Sequence, residues 1–296
     1  MYDIIIIGAG PAGLTAGLYA LRANKKVLIF DAKSYGGQII NAAKIENYPG
    51  IANISGFEFA TNLYNQVKNL GGEFKYETVT RVTENKEIYT NQGKYEAKAI
   101  IIATGSANRR LNIENEKEYI GKGVSYCATC DGNFFKNKTV AVVGGGQTAI
   151  DDVIYLSEIA NKVYLIYRGE KLNEELNKLD IITNLSNLEI ILNSNVTKII
   201  GNELLTGIEI TDKTNNKKEI NIDGLFIAVG QEPKNEIFNN VVDLDSRGYI
   251  ETTDGVHTKT SGIYVAGDTR VKELRQLTTA VGDGSLAATI AIKEMR

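Results

Sequence analysis

The chain is short of the residues that most often carry metal and cluster chemistry. Its 296 residues include no tryptophan, two cysteines, one histidine, two methionines and three prolines. An iron–sulfur cluster held by one chain normally takes four cysteines, so Cys127 and Cys130 are too few. A structural zinc site normally takes four Cys or His ligands, and adding His257 gives only three. Zinc would need acidic ligands or a second chain, and no metal is expected. Long apolar runs are missing too: the stretch Asp3 to Ile7, flanked by Gly8, is far too short to span a bilayer. No signal peptide precedes it, so a cytoplasmic location is expected and a membrane partner is not. Charge excess is small. Thirty-three basic against 36 acidic residues leave a formal charge of -3, which gives no general attraction to nucleic acid.

What cysteine there is sits together, as Cys127-Ala128-Thr129-Cys130 followed by Asp131-Gly132. This spacing lets the pair close a small disulfide ring and reopen it, or bind a metal. A purely structural disulfide is disfavoured in the cytoplasm. Ligand counting then favours redox chemistry.

Glycine is abundant, and its placement defines the fold class. Tyr2 to Ile7 reads as a buried parallel strand running into Gly8-Ala9-Gly10-Pro11-Ala12-Gly13, a helix to about Ala23, and a strand Val27 to Phe30 ending at Asp31. This is G-x-G-x-x-G in its structural context, with an acid 18 residues after the last glycine. The glycines allow a tight turn and close approach of backbone to a pyrophosphate at the helix N-terminus, while Asp31 accepts ribose hydroxyls. The pattern recurs. Thr139 to Val143 reads as a strand, Gly144-Gly145-Gly146-Gln147-Thr148-Ala149 as the turn, Ile150 to Ile159 as a helix and Lys162 to Tyr167 as the next strand. Further apolar strands end in Ala103-Thr104-Gly105, Ala228-Val229-Gly230 and Ala266-Gly267-Asp268. The expected architecture is α/β, with two doubly wound, Rossmann-like nucleotide-binding domains, the second inserted in the first. Boundaries fall near residues 112 and 243, giving 1–112 with 243–296 as one domain and 113–242 as the other.

These signatures, with Gly36-Gly37-Gln38, Glu46-Asn47-Tyr48-Pro49-Gly50 and Arg275-Gln276, resemble those of low-molecular-weight flavoprotein thioredoxin reductases almost end to end. The resemblance implies an FAD domain built from both chain ends and a homodimer acting on thioredoxin. It implies that Gly8, Gly10 and Asp31 hold the adenosine and pyrophosphate side of FAD, and that Pro11, Ala12 and Gly37 also bind the cofactor. Val79, Ala103, Thr104, Gly105 and Gly267 would line the same cofactor, and Gln38 and Asn47 would lie near the flavin. Asp268 would accept from the ribityl chain. Arg275-Gln276 would open a helix whose positive end faces the isoalloxazine. Of the sulfurs, Cys130 would face the flavin and Cys127 would attack the partner's disulfide. Such exchange needs a general acid–base. The single histidine lies in a distant segment and reads as an ordinary satisfied side chain, so Asp131, beside Cys130, takes that role.

One segment departs from the family. NADPH-dependent members follow the second nucleotide strand with a histidine, an arginine pair and a later arginine that grip the 2′-phosphate. Here the segment is Tyr167-Arg168-Gly169-Glu170-Lys171-Leu172-Asn173. One arginine remains, and Glu170 repels a phosphate. No acid ends the strand to take a free 2′-hydroxyl either. This resembles the ferredoxin-dependent flavin thioredoxin reductases. An acidic ferredoxin would favour a basic face, for which Lys25, Lys26, Lys122, Lys136 and Lys138 are candidates. The near alternative is NADPH with relaxed recognition. A peroxide-reducing flavoprotein component ranks lower, since the chain begins directly with the FAD strand. A flavin redox sensor is the reading from a different class.

Overall fold

The computed structural model describes residues 1–42, 44–174, 176 and 178–295 of the chain. They form two compact units, Met1–Ala107 with Glu232–Arg296, and Asn108–Gln231. The first unit opens with β1 (Tyr2–Ile7), α1 (Pro11–Arg22), β2 (Val27–Phe30), α2 (Gly56–Asn69), β3 (Glu73–Lys75), β4 (Val79–Val82), β5 (Glu87–Thr90) and β6 (Lys94–Ile102). The chain crosses at β7 (Ala107–Asn108) into β8 (Val124–Ser125), α3 (Ala128–Asp131), β9 (Thr139–Val143), α4 (Gln147–Ser157), β10 (Lys162–Ile166), α5 (Leu179–Thr183) and β11 (Leu188–Ile191). Next come β12 (Ser194–Gly201), β13 (Leu205–Asp212), β14 (Lys217–Asn221), β15 (Gly224–Ile227) and the return crossing β16 (Gln231–Glu232). The first unit closes with β17 (Ile263–Val265) and α6 (Leu277–Glu294). Among the described residues no helix is long and apolar enough to cross a membrane.

The first unit is organised by its central strand. Ile4, Ile5, Ile6 and Ile7 are all buried because β1 runs parallel between β2 and β6 with layers on both faces, where a strand carries a continuous apolar run. Each such side chain contributes roughly 1.5–3 kcal/mol by leaving water. The sheet order is β3-β2-β1-β6-β5-β4, with β17 pairing the far half of β6. Helix α1 starts with Pro11 at its first turn, where the missing N–H costs no hydrogen bond. Its buried face is built of small residues, Ala12, Gly13, Ala16, Gly17 and Ala20. So is the buried face of α6, with Ala280, Gly284, Ala287, Ala288 and Ala291. The two helices therefore meet at backbone distance: a Cβ on Gly284 would stand 2.2 Å from the Ala12 carbonyl oxygen.

The second unit repeats the plan with a parallel sheet β11-β10-β9-β15-β8, to which a three-stranded antiparallel sheet β12-β13-β14 is added. That antiparallel sheet was not anticipated. Both boundaries lie earlier than 112 and 243. Leu111 packs on the core of the second unit, and Glu116 accepts the Leu111 and Asn112 N–H groups at 3.2 and 2.8 Å, so residues 108–112 fold with it. Conversely Phe238, Val241 and Val242 join Ile5, Ile7 and Phe30 in a core of the first unit, so residues 232–242 fold there. Apolar content alone did not distinguish the two cores.

Candidate functional site

In the first unit the glycine turn is shaped by its neighbours. Gly8 adopts φ +113°, and a Cβ there would stand 2.2 Å from the Ala103 carbonyl oxygen, so only glycine fits where β1 and β6 end. The Ala9 N–H donates to Asp31 Oδ2 at 3.0 Å. Asp31 therefore reaches the turn from the end of β2, while its Oδ1 accepts from Lys33 and Ser34. Gly36 donates to the Ala9 carbonyl at 2.8 Å, which lays the Gly36-Gly37 loop over the turn, and a Cβ on Gly37 would be 3.0 Å from the Gly10 Cα. Gly10 caps α1 with no side chain competing for the free N–H groups. A pyrophosphate fits such an end.

The segment after β17 adds a second set of groups. Asp268 Oδ1 is buried with no partner, one of three such side-chain atoms among the described residues, with Thr15 Oγ1 and Asn193 Oδ1. Burial pushes the Asp268 carboxyl up, against the pull of Lys272 and Arg275. A buried acceptor without a donor fits a ligand hydroxyl. Asp283 on α6, which the sequence reading missed, holds this segment. It accepts from the Gly267 N–H at 3.0 Å, from Arg270 at 2.9 and 2.8 Å, and from Lys272 at 2.8 Å. Burial alone would raise its carboxyl, but Arg270 and Lys272 outweigh burial and hold it low. Arg275 turns back to the carbonyls of Asp268, Arg270 and Lys272, with its guanidinium 4.0 Å from the Tyr249 ring centroid. Gln276 caps α6 in a reciprocal box with Thr279, and Asn47 donates to Gln276 Oε1 at 3.1 Å. Asn47 and Gln276 are thus brought together. Gln38 is exposed in the turn Gly37–Asn41.

Two other expected residues, Thr104 and Val79, are placed differently in kind. Thr104 shares its hydroxyl with Thr269 at 2.9 Å, beside the fully buried Asn235, which makes it part of a structural network. Val79 is a core side chain of β4, leaving only its backbone for a ligand. Ala103 and Gly105 follow the end of β6, and Pro11 and Ala12 lie in the first turn of α1. His257 is bonded at both ring nitrogens, to Asp254 at 2.7 Å and Glu294 at 2.8 Å, as a satisfied histidine would be.

In the second unit Cys127 and Cys130 form a disulfide, with an S–S distance of 2.10 Å. Cys127 caps α3, and its carbonyl accepts the Cys130 and Asp131 N–H groups at 3.3 and 3.1 Å. Cys130 is exposed and Cys127 half-buried, so exposure alone does not sort the sulfurs into a flavin side and a partner side. Asp131 Oδ2 accepts from the buried Ser125 hydroxyl at 2.6 Å. Burial pushes the Asp131 carboxyl up, and the Ser125 bond offsets part of that rise. Tyr126 donates to Glu116 at 2.5 Å, tying the approach to Cys127 onto the same buried acid that holds residues 111 and 112. Among the described residues no group of three or more His, Cys, Asp or Glu is poised for a metal.

The second glycine turn has the backbone of the first. Gly144 takes φ +155°, and a Cβ there would meet the Ala228 carbonyl oxygen at 2.3 Å. The strand-end residue differs. Tyr167 follows β10 where Asp31 follows β2, and its ring lies on the turn. A Cβ on Gly145 would stand 2.1 Å from Tyr167 Cε2, and one on Gly169 would stand 2.5 Å from Cε1. Beyond it, Glu170 is paired with Lys213.

Two strand–turn–helix units of the dinucleotide kind, one carrying a closed Cys-x-x-C ring, mark a nucleotide-type disulfide oxidoreductase. The family model described as pyridine nucleotide-disulphide oxidoreductase matches residues 2–284. The thioredoxin reductase of Listeria monocytogenes is 41% identical over 99% of this chain and 93% of its own. That of Bacillus subtilis is 39% identical over 97% and 93%. The solved thioredoxin reductase of Streptococcus pyogenes superposes with a TM-score of 0.94 at 40% identity, covering 99% of this chain and 97% of its own. The chain belongs to the thioredoxin reductase family of these oxidoreductases, whose members are FAD flavoproteins. The partnerless Asp268 oxygen and the uncapped end of α1 fit that cofactor.

Proposed function

We propose that this protein reduces the disulfide of thioredoxin through Cys127 and Cys130, with electrons from reduced ferredoxin rather than from a nicotinamide nucleotide. Tyr167 carries the choice of donor. In a working dinucleotide turn the residue ending the second strand is an acid that takes the ribose hydroxyls, the place Asp31 holds in the first unit. Tyr167 instead covers the glycine backbone with its ring, against both Gly145 and Gly169. Of the phosphate-gripping cations only Arg168 remains, which points the same way, whereas the charge of Glu170 is taken up by Lys213. Thioredoxin as substrate is supported by relatives of that name 39 to 41% identical across nearly the whole chain.

FAD, when bound, supplies the chemistry that turns one-electron deliveries into the two-electron opening of the disulfide. Gly8, Gly10, Pro11, Ala12, Asp31 and Gly37 would hold its pyrophosphate side, and Asp268 would accept from its ribityl hydroxyls. Gln38, Asn47 and the capped start of α6 would lie toward its ring. The resemblance that implies this cofactor also implies a homodimer.

The proton work falls to Asp131. In the dithiol form Cys127 is the thiolate, and its proton rests on Asp131. Cys127 attacks one sulfur of the thioredoxin disulfide, and the departing thiolate takes the Asp131 proton. Cys130 then gives its proton to Asp131 and attacks the Cys127 sulfur of the mixed disulfide. The second departing thiolate takes that proton. Two thiols leave on thioredoxin, the Cys127–Cys130 bond is restored and Asp131 ends ionised. A carboxyl raised by burial suits this shuttling near neutral pH better than an exposed one.

Anaerobic mixing of the oxidised, FAD-loaded protein with NADPH, NADH or reduced ferredoxin tests the donor, read as flavin bleaching followed by thioredoxin thiols. Bleaching by ferredoxin alone, with thiols appearing afterwards, is expected. Rapid stoichiometric bleaching by NADPH would overturn the ferredoxin donor. Absence of thioredoxin thiols with every donor would overturn the reductase itself.

A further inference from the structure

We propose that Ser125 is a positioning residue for the thiol exchange, holding the proton-carrying Asp131 side chain against the backbone of Cys127. Ser125 is the last residue of β8 and is 5% exposed. Its hydroxyl has one proton to give and two lone pairs with which to accept. It donates to Asp131 Oδ2 at 2.6 Å, and it accepts from the Cys127 N–H at 3.0 Å. The Cys127 carbonyl lies 3.3 Å away as a second, longer acceptor. One buried hydroxyl thus joins the acid to the residue that begins the redox ring. Asp131 gains a defined orientation from the strand that precedes α3, beyond what its own short helix provides.

The surroundings make this bond consequential. Gly132 abuts α4 so closely that a Cβ there would lie 2.8 Å from Tyr155 Cε1 and 3.2 Å from Leu156 Cδ2. On α4 the positions 152, 155 and 156 share one face, so Asp152 and Tyr155 are the titratable groups on the face that meets Gly132. Just after β8 the neighbour is Tyr126, bonded to Glu116. Among the described residues no charge pair acts on Asp131: burial raises its carboxyl and the Ser125 hydrogen bond lowers it. Removing the hydroxyl therefore leaves the raising influence unopposed. A hydrogen bond to an ionised acceptor is strong enough to move the midpoint by about one pH unit or more. It also frees the Asp131 side chain to rotate away from the sulfurs.

This inference rests on Asp131 being the acid–base of the proposed function, and the test separates the two. The reduced, FAD-loaded protein is mixed with oxidised thioredoxin in single turnover, from about pH 5 to about pH 9. Ser125→Ala should move the limbs of the rate profile upward by about one pH unit, while flavin reduction by the donor keeps its rate. In an Asp131→Asn background the same substitution should change the rate less than about twofold, because a residue acting through Asp131 has nothing left to position. Ser125→Thr, which keeps the hydroxyl, should keep the parent midpoint. If Ser125→Ala does not fold, Ser125→Gly and Ser125→Thr are compared in its place. An unshifted profile in the hydroxyl-less variant, or an undiminished effect in the Asp131→Asn background, would overturn the role of Ser125. An unchanged profile in Asp131→Asn itself would overturn the Asp131 reading instead.

Discussion

Asp152 shows at the residue scale what burial does to a carboxyl that has no donor to compensate it. Burial on α4, aided by the neighbouring charge of Asp151, pushes its carboxyl up to about 7. The folded protein thus holds a proton that the unfolded chain releases near pH 4. The sign follows from linkage: ionising Asp152 costs nothing below the unfolded value, and the cost grows through neutrality and is complete above about 7. Asp152→Asn should therefore stabilise the protein at about pH 8 by as much as ~4 kcal/mol, with the gain fading toward about pH 4. Chemical unfolding of both proteins at the two pH values checks this, and an equal effect at both would contradict it. Ser125 and Asp283 teach a related lesson about legibility. The Cys-x-x-C, Asp131, Asp31 and Asp268 stood out because their chemistry is tied to short motifs. Ser125 and Asp283 are ordinary residues in ordinary strings. Their importance comes from which buried groups the fold brings to them, and no spacing in the chain encodes that.

At the scale of elements, the strand–turn–helix units were legible because their signals are local and strong: apolar runs, glycines at fixed offsets, and Pro11 at a helix start. The β12–β14 sheet was not, although Asp212 bonds the Thr214 and Asn216 N–H groups at 2.8 and 2.9 Å in a recognisable turn. Its strands alternate weakly and carry no motif. The end of α6 offers an element-scale prediction. Glu294 and Asp254 hold His257 between them and raise its imidazole above the ordinary range. Hydrogen bonds from Tyr264 and His257 hold Glu294 low, and one from His257 does the same for Asp254. A raised histidine contributes stability that is complete below its unfolded value of about 6.5 and is lost as pH rises through its folded value. The lowered carboxylates contribute above about pH 4.5 and lose that contribution in acid. The clasp is therefore strongest between about pH 5 and about pH 6.5. His257→Gln should lower stability there by less than about 1 kcal/mol, the cluster being partly exposed, and should cost less at about pH 9. Hydrogen exchange at the last turn of α6 reads this directly, and a larger loss at the alkaline pH would refute it.

At the scale of the whole molecule, the chain contains the same nucleotide-type turn twice, with Asp31 and Tyr167 at the position that ends the second strand. Gly8 against Ala103 and Gly144 against Ala228 show the two backbones bent by the same close approach. The turn glycines therefore report fold in both units and cannot by themselves report a bound nucleotide. The strand-end residue distinguishes them. Asp31 bonds the Ala9 N–H, whereas the Tyr167 ring lies across Gly145. The sequence segment from Tyr167 to Asn173 disclosed the missing cations, but the covering ring became visible only once β10 and the turn were placed together. If that ring is what keeps a nucleotide out, converting the second unit to the plan of the first should admit one. Tyr167→Asp uncovers Gly145 and sets an acid where Asp31 stands in the other unit, able to take the 2′-hydroxyl of NADH but not the 2′-phosphate of NADPH. The variant should bind NADH at least roughly tenfold more tightly than the parent while NADPH binding stays weak, measured by titration calorimetry. Unchanged NADH affinity would mean that the turn is closed by something other than Tyr167, and strong binding by the unaltered protein would mean that it is not closed at all.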